Sequence, residues 1–246
     1  RGRQLLRDRS REGHARVGFL ELFYDLVFVF AITQLSHRLL KDVSIVNGLE
    51  TLFLFVAVWW VWMYTTWAMN WLDPDNARVR LMVFALTFIG LVMSMAVPGA
   101  FAESGLAFAL AYASMQVLRT AFIAWAAGPN RTMRLNFVRI LIWFAVASLF
   151  WIAGAFVDGA ARGALWLVAL GVDLAGPIAR FYTPVLGPSS TSDWDIEGEH
   201  MAERCALFII IALGESLLVT GATFEKLPWT ATNCLAPVSV APVPLK

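Results

Sequence analysis

Two carboxylates lie inside the first long apolar run of the chain, residues 16–37. Glu21 and Asp25 are four residues apart, so on a helix their side chains share one face. Ionisable groups at membrane depth are costly, and they are found against a bundle interior or a water-filled cavity, where they serve ion or proton pathways. We therefore expect the first helix to turn this acidic face inward. For Glu21 the alternative is a position at headgroup level, where a carboxylate starts the helix and complements its dipole.

A second charged segment occurs near the end of the chain. His200, Arg204 and Glu215 fall within one stripe of a helix, and Glu203 points to one side of that stripe. Glu215 has no cation at its predicted height, so we expect a neutral carboxyl that can bind and release protons. The alternative is a packing residue whose carboxyl is hydrogen-bonded to a neighbouring group.

Two more charged residues lie in the middle of the chain, Arg119 in the fourth apolar segment and Asp173 in the sixth. A helix rise of about 1.5 Å per residue places them at heights similar to those of Asp25 and Arg204. We therefore predict one buried network that pairs Asp25 and Asp173 with Arg119 and Arg204, since a guanidinium can bind a carboxylate through two hydrogen bonds. The alternative is that these charges only hold helices together.

The elements that must position these residues are membrane helices. The chain has 246 residues, of which 59% are hydrophobic and 15% charged, whereas soluble domains have about 25% charged residues. Spans need about twenty mainly apolar residues, and seven segments qualify, which predicts an all-α, polytopic transmembrane helical bundle. The predicted spans are residues 19–37, 49–71, 79–97, 105–127, 136–157, 163–182 and 201–222. They form one transmembrane domain, residues 19–222, between a basic arm, residues 1–18, and a Pro-rich tail, residues 223–246, which we expect to be disordered.

The arginines indicate the orientation of the bundle. With the N-terminus inside, twelve Arg or Lys residues fall in inner segments and four in outer ones. Cytoplasmic segments carry the excess of Lys and Arg in membrane proteins. We therefore predict a cytoplasmic N-terminus.

Several classes of function are not supported by the sequence. The net charge is +1, which gives no electrostatic case for nucleic-acid binding. No nucleophile–base pair and no metal-ligand spacing occurs, so we expect neither an enzyme nor a cofactor or metal site. A retinal Schiff base needs a lysine in a predicted span, and none has one; a haem between His37 and His200 would have to bridge opposite membrane faces. The tryptophans of the second span surround the helix, which predicts lipid contact.

Two motifs resemble those of the bacterial low temperature requirement protein A (LtrA) family. The first is residues 16–37, with the core Glu21-Leu-Phe-Tyr-Asp25, and the second joins His200-x-x-Glu203-Arg204 to Leu-Gly-Glu215-Ser. The resemblance covers residues 16–222. It implies a multi-pass protein of the bacterial inner membrane, from a family named for growth at low temperature and without an established biochemical activity. Members usually continue with further spans after the second motif, which implies a truncated chain here.

Two hypotheses for the function remain open at this point. In the first, an ion, a proton or a small solute crosses the membrane by way of the buried charges. In the second, the protein is a non-transporting membrane sensor or assembly protein linked to low-temperature growth. The expected partners are the lipid bilayer and, under the first hypothesis, the transported species; a homo-oligomer is left open.

Overall fold

The structure, a computed structural model, describes residues 5–7, 18–190 and 198–224. Within these residues it contains helices and no strand, which confirms the predicted all-α fold. A 3-10 turn, Val97–Gly99, follows the third helix. The seven helices are α1 (Phe19–Lys41), α2 (Ile45–Met69), α3 (Ala77–Ala96), α4 (Gly105–Ala126), α5 (Arg131–Ala155), α6 (Gly159–Ile178) and α7 (Gly198–Phe224).

Six of these helices, α1 to α6, are long and apolar enough to cross a membrane. The helix α7 has 27 residues and coincides with the seventh predicted span. Most of the predicted basic arm, and the tail from residue 225 onward, lie outside the described residues.

Side-chain caps explain why some helices begin earlier than their hydropathy predicts. Ser44 accepts a hydrogen bond from the Asn47 backbone N–H, and α2 therefore starts at Ile45 rather than at residue 49. Asn130 accepts from the Met133 backbone N–H, and α5 starts five residues before its predicted span. Such caps satisfy backbone donors that the first turn leaves free.

The sixth helix ends at Ile178, four residues before the end of its predicted span. Pro177 lies in the last turn and has no backbone N–H, and the helical bonding ends just after it, where the Ala179 N–H donates to the Ala175 carbonyl. The chain then turns through two residues with positive φ, Arg180 at 51° and Phe181 at 49°. The Phe181 N–H donates to the Gly176 carbonyl at 2.8 Å, which closes the turn.

The helices pack around an aromatic core. Helix α4 packs against α3 and α5, and α5 packs against α6. Helix α1 lies against α2, α3 and α7. Trp151 of α5 and Trp166 of α6 are fully buried, with ring centroids 5.3 Å apart. Gly154 allows this close approach, because a Cβ there would lie 2.5 Å from Cδ1 of Trp166.

The outer surface of the bundle is apolar. Large hydrophobic side chains are exposed along the described helices, among them Phe55, Phe88, Leu149, Leu167 and Ile210. A soluble monomer does not expose apolar surface on this scale, whereas a bundle in hydrocarbon does. The exposed apolar surface therefore agrees with the membrane bundle that the composition predicted.

Candidate functional site

The first and last helices meet through charged residues at their N-terminal ends. Glu21 and His200 are each the third residue of their helix, and Asp25 and Arg204 are each the seventh. Because residues at matching heights face one another, α1 and α7 run parallel. All four side chains are at most 1% exposed. We call these four residues the α1–α7 charge cluster.

One guanidinium holds both carboxylates of the cluster. Nη2 of Arg204 donates to Oδ1 of Asp25 at 2.6 Å, and Nη1 lies 3.3 Å from Oε1 of Glu21. Nε2 of His200 lies 3.3 Å from the other carboxylate oxygen of Glu21, Oε2. The two carboxylates, the guanidinium and the imidazole therefore form one connected group. The i, i+4 spacing had predicted that the two residues of each helix share a face.

Glu21 also has the helix-starting role that was its alternative. Its Oε2 accepts a hydrogen bond from the Gly18 backbone N–H at 3.0 Å, which caps α1. The residue is nevertheless buried, and its carboxylate contacts charged partners. The N-terminal dipoles of α1 and α7 favour carboxylates at this height and disfavour cations, so His200 and Arg204 are held there by their partners.

Trp62 of α2 completes the surroundings of Asp25. Its indole Nε1–H donates to Oδ1 of Asp25 at 2.7 Å, and its ring lies against Phe208 of α7 with centroids 4.4 Å apart. Trp62 is buried, so the prediction of lipid contact all around α2 is wrong at this residue. The neighbouring Thr65 and Thr66, also buried, are the signal that could have identified this inward face.

The described part of the N-terminal arm lies over the cluster. The Arg7 backbone N–H donates to the Trp71 carbonyl and its Nε to the Leu72 carbonyl, both at 2.9 Å. Nη2 of Arg7 lies 3.6 Å from Oε1 of Glu21. Nothing in the sequence distinguished Arg7 from the other arginines of the arm, so this contact was missed.

Arg119 and Asp173 belong to a separate polar group. Arg119 donates to Thr65 Oγ1 at 3.1 Å and to the Gln116 carboxamide, and its guanidinium lies over the Tyr64 ring. We call Tyr112, Gln116, Arg119 and Asp173 the α4–α6 polar chain.

Asp173 is held by neutral donors in that chain. Its Oδ2 accepts from the Tyr112 hydroxyl at 2.8 Å and from Trp151 Nε1 at 3.2 Å. Among the described residues it forms no ion pair with an arginine, which corrects the predicted single network. The reason is the direction in which the side chains point. Arg119 points toward α2, and the Tyr112 hydroxyl is the group of α4 that reaches Asp173 on α6.

The two remaining candidates of α7 lie outside both groups. Glu203 is exposed, one residue before Arg204, because the helix turns it away from α1. Glu215 is half-buried, and none of the described residues forms an ion pair with it. Neither residue extends the α1–α7 charge cluster.

An apolar cavity of about 280 Å³ adjoins the cluster between α1, α2 and α7. Phe28, Phe55 and Cys205 are among its lining residues, and Trp62 forms part of its wall. One side of the Trp62 ring therefore faces an apolar space, while its N–H holds Asp25. The cavity itself offers no polar site.

Comparison with known proteins places this arrangement in a family. The chain is 46% identical over 223 residues to an uncharacterized protein of Rhizobium meliloti (strain 1021). The match covers 87% of this chain and 54% of the relative, so the chain spans about half the relative's length. No solved structure matches the chain. The family model described as bacterial low temperature requirement A protein (LtrA) matches residues 16–241, and the chain therefore belongs to this family.

Proposed function

We propose that this protein is a transport protein of the bacterial inner membrane in which an ion, a proton or a small solute crosses by way of buried charged residues. The observation that carries the proposal is the α1–α7 charge cluster. It buries two carboxylates, a guanidinium and an imidazole between two helices of a membrane bundle. Ionisable residues at such positions are costly, and they typically mark ion and proton pathways.

The cost of the cluster supports a role beyond packing. Replacing a buried ion pair by apolar side chains is often neutral or stabilising. A bundle that needs only to hold α7 in place could use Leu or Phe at these four positions. The exact geometry, with one guanidinium between two carboxylates, is suited to rearrangement when the charge of one partner changes.

One observation favours the alternative, a non-transporting sensor or assembly protein. The helix α7 packs chiefly on α1 and α2, and the cluster joins α7 to α1. Charges that serve only to tether this peripheral helix would produce the same contacts. The two functions differ in what a charge-neutral substitution does to flux.

Flux measurements test the proposal. The chain would be reconstituted into liposomes, and the entry of protons, monovalent cations and small anions would be followed with internal dyes under an imposed gradient. Glu21→Gln should abolish flux while the protein remains folded, as judged by gel filtration and thermal unfolding. Glu203→Gln, an exposed carboxyl on the same helix as Arg204, serves as the matched control and should behave as wild type.

Two results would decide for the alternative. One is a wild-type protein without flux of any tested species. The other is a flux that Glu21→Gln and Asp25→Asn leave unchanged.

A parallel measurement of Glu215→Gln tests the sequence-based prediction that this residue exchanges protons, since Gln mimics the neutral acid.

A further inference from the structure

We infer that the species which the α1–α7 charge cluster binds and releases is a proton, shared between His200 and Glu21. This inference rests on the proposed function and deepens it, because it names the chemical class of what is moved. Three kinds of species could bind to the cluster: a cation, an anion or polar solute, and a proton.

A metal or alkali cation finds too few ligands at the carboxylates. Oε1 of Glu21 and Oδ2 of Asp25 accept no hydrogen bond from the described residues, but two oxygens fall short of the roughly six that such cations take. Arg204 already lies between the carboxylates, with Nη2 at 2.6 Å from Asp25 and Nη1 at 3.3 Å from Glu21. The remaining contacts of Glu21 are with Arg7, at 3.6 Å, with His200, at 3.3 Å, and with the Gly18 backbone N–H, at 3.0 Å. A cation would have to displace a guanidinium from a buried site, and this would leave two buried positive charges in place of one.

An anion or a polar solute fits no better. The guanidinium groups of Arg204 and Arg7 are turned toward carboxylates, which would repel an anion. The adjoining cavity of about 280 Å³ is lined by apolar side chains, including Phe55 and Phe208. A polar solute would lose its hydration there without gaining hydrogen bonds.

A proton needs neither space nor new ligands. Nε2 of His200 and Oε2 of Glu21 are 3.3 Å apart, so the imidazolium formed by an added proton can donate to the carboxylate. Histidine is the side chain whose charge ordinarily changes between about pH 5 and 8. Nδ1 of His200 is buried and hydrogen-bonds to none of the described residues. One ring nitrogen thus faces the carboxylate, and the other has no described partner and is free to take up the second proton of the imidazolium.

The charge balance of the surroundings supports this exchange. Around His200, α1 contributes Glu21 and Asp25, the arm contributes Arg7 and α7 contributes Arg204. With a neutral imidazole these groups sum to zero, and an added proton brings the total to +1. The helix α2 contributes Trp62, an uncharged donor to Asp25. In the exchange a proton from water on one side joins the His200–Glu21 pair, and the same proton later leaves, so no other reactant is needed.

The direct test is the protonation state of His200 in the full chain. The protein has three histidines, so His14→Gln/His37→Gln leaves the imidazole of His200 as the one signal of a 15N-histidine label. We expect the NMR signals of both ring nitrogens to change together as the pH is lowered, because both nitrogens carry a proton in the imidazolium. In the added presence of Glu21→Gln the response to pH should differ, because the protonated imidazole loses the carboxylate beside it. His200 signals that do not respond to pH, or that respond identically with and without Glu21→Gln, would overturn the inference.

Flux separates this inference from the proposed function. In liposomes with an internal pH dye and a potassium diffusion potential, His200→Gln should lower proton entry on the order of a hundredfold. His37→Gln, an exposed histidine at the other end of α1, is the control. Flux of another solute without protons would overturn the proton assignment and leave transport standing. A His200–Glu21 pair that titrates as one unit in a protein without any flux would support proton binding and refute the transport function.

Discussion

Arg204 is the residue on which the α1–α7 charge cluster depends. It is the one described side chain that contacts both carboxylates, and its side chain is 1% exposed. Removing it leaves two buried carboxylates side by side. Glu21 keeps Arg7 and His200 as partners, whereas Asp25 keeps only the uncharged Trp62 N–H among the described residues. Removing one carboxylate leaves Arg204 with the other. The structure thus predicts unequal costs for the members of one cluster.

A mutant cycle measures this inequality. We expect Arg204→Met to destabilise the protein by about 3–5 kcal/mol, since it breaks a buried pair and leaves Asp25 without a cationic partner. Adding Asp25→Asn and Glu21→Gln to Arg204→Met should recover much of that loss. Thermal unfolding in detergent gives the values. If the triple variant loses as much as the sum of the single variants, the three residues do not act as partners.

Trp62 offers a second prediction at the same scale. Trp62→Phe keeps a ring against Phe208 and removes the N–H that donates to Asp25. A hydrogen bond to a charged group contributes about 1.5–3 kcal/mol, and we expect a destabilisation of this size in chemical unfolding. Trp59→Phe, three residues earlier on the exposed side of α2, should cost much less. Equal costs for the two variants would show that the bond to Asp25 contributes nothing.

Periodicity predicted which face of a helix carries the charge, but not which residue meets it. The pairs Glu21/Asp25 and His200/Arg204 were each placed on one face by their spacing, and the structure brings those faces together. Trp62 was missed because a tryptophan has no charge to attract attention in an apolar helix. Arg119 was assigned to the cluster on height alone, since hydropathy gives depth along a helix and no rotation around it.

At the scale of helices, close packing between α5 and α6 depends on a small residue. Trp166 lies against Trp151 and Phe108, with centroids 5.3 and 5.6 Å apart, and cannot move aside. Its Nε1–H donates to the Trp151 carbonyl at 2.9 Å. A methyl group at Gly154 would therefore push the helices apart rather than reorient a side chain.

Gly154→Ala tests this packing. We expect a loss of about 1–3 kcal/mol, the usual cost of overpacking a filled core, measured as a lower midpoint of thermal unfolding. Gly171→Ala on α6 is the matched control, because a Cβ at Gly171 meets nothing within 4 Å. That substitution should be neutral or slightly stabilising, since Ala favours the helix over Gly. A Gly154→Ala protein as stable as the Gly171→Ala protein would contradict the packing argument.

At the scale of the whole molecule, the hydropathy pattern was sufficient to predict the helical bundle. Seven apolar segments became seven helices, because a membrane helix satisfies its backbone internally and needs length and apolarity more than a particular partner. The ends were less predictable: caps at Ser44 and Asn130 and the turn after Pro177 moved three boundaries. Which helices touch, and through which residues, depends on packing that composition does not encode.

The orientation of the bundle is the last prediction. Twelve basic residues on one side against four on the other predict a cytoplasmic N-terminus. The structure adds a constraint, because the arm and the α2–α3 connection lie on the same face, where the Asp73 N–H donates to the Leu5 carbonyl at 3.0 Å. Reporter fusions at Asp42 and Asp75 should therefore read outside and cytoplasmic, respectively. The opposite pair of readings would invert the bundle, and identical readings would show that α2 does not cross the membrane.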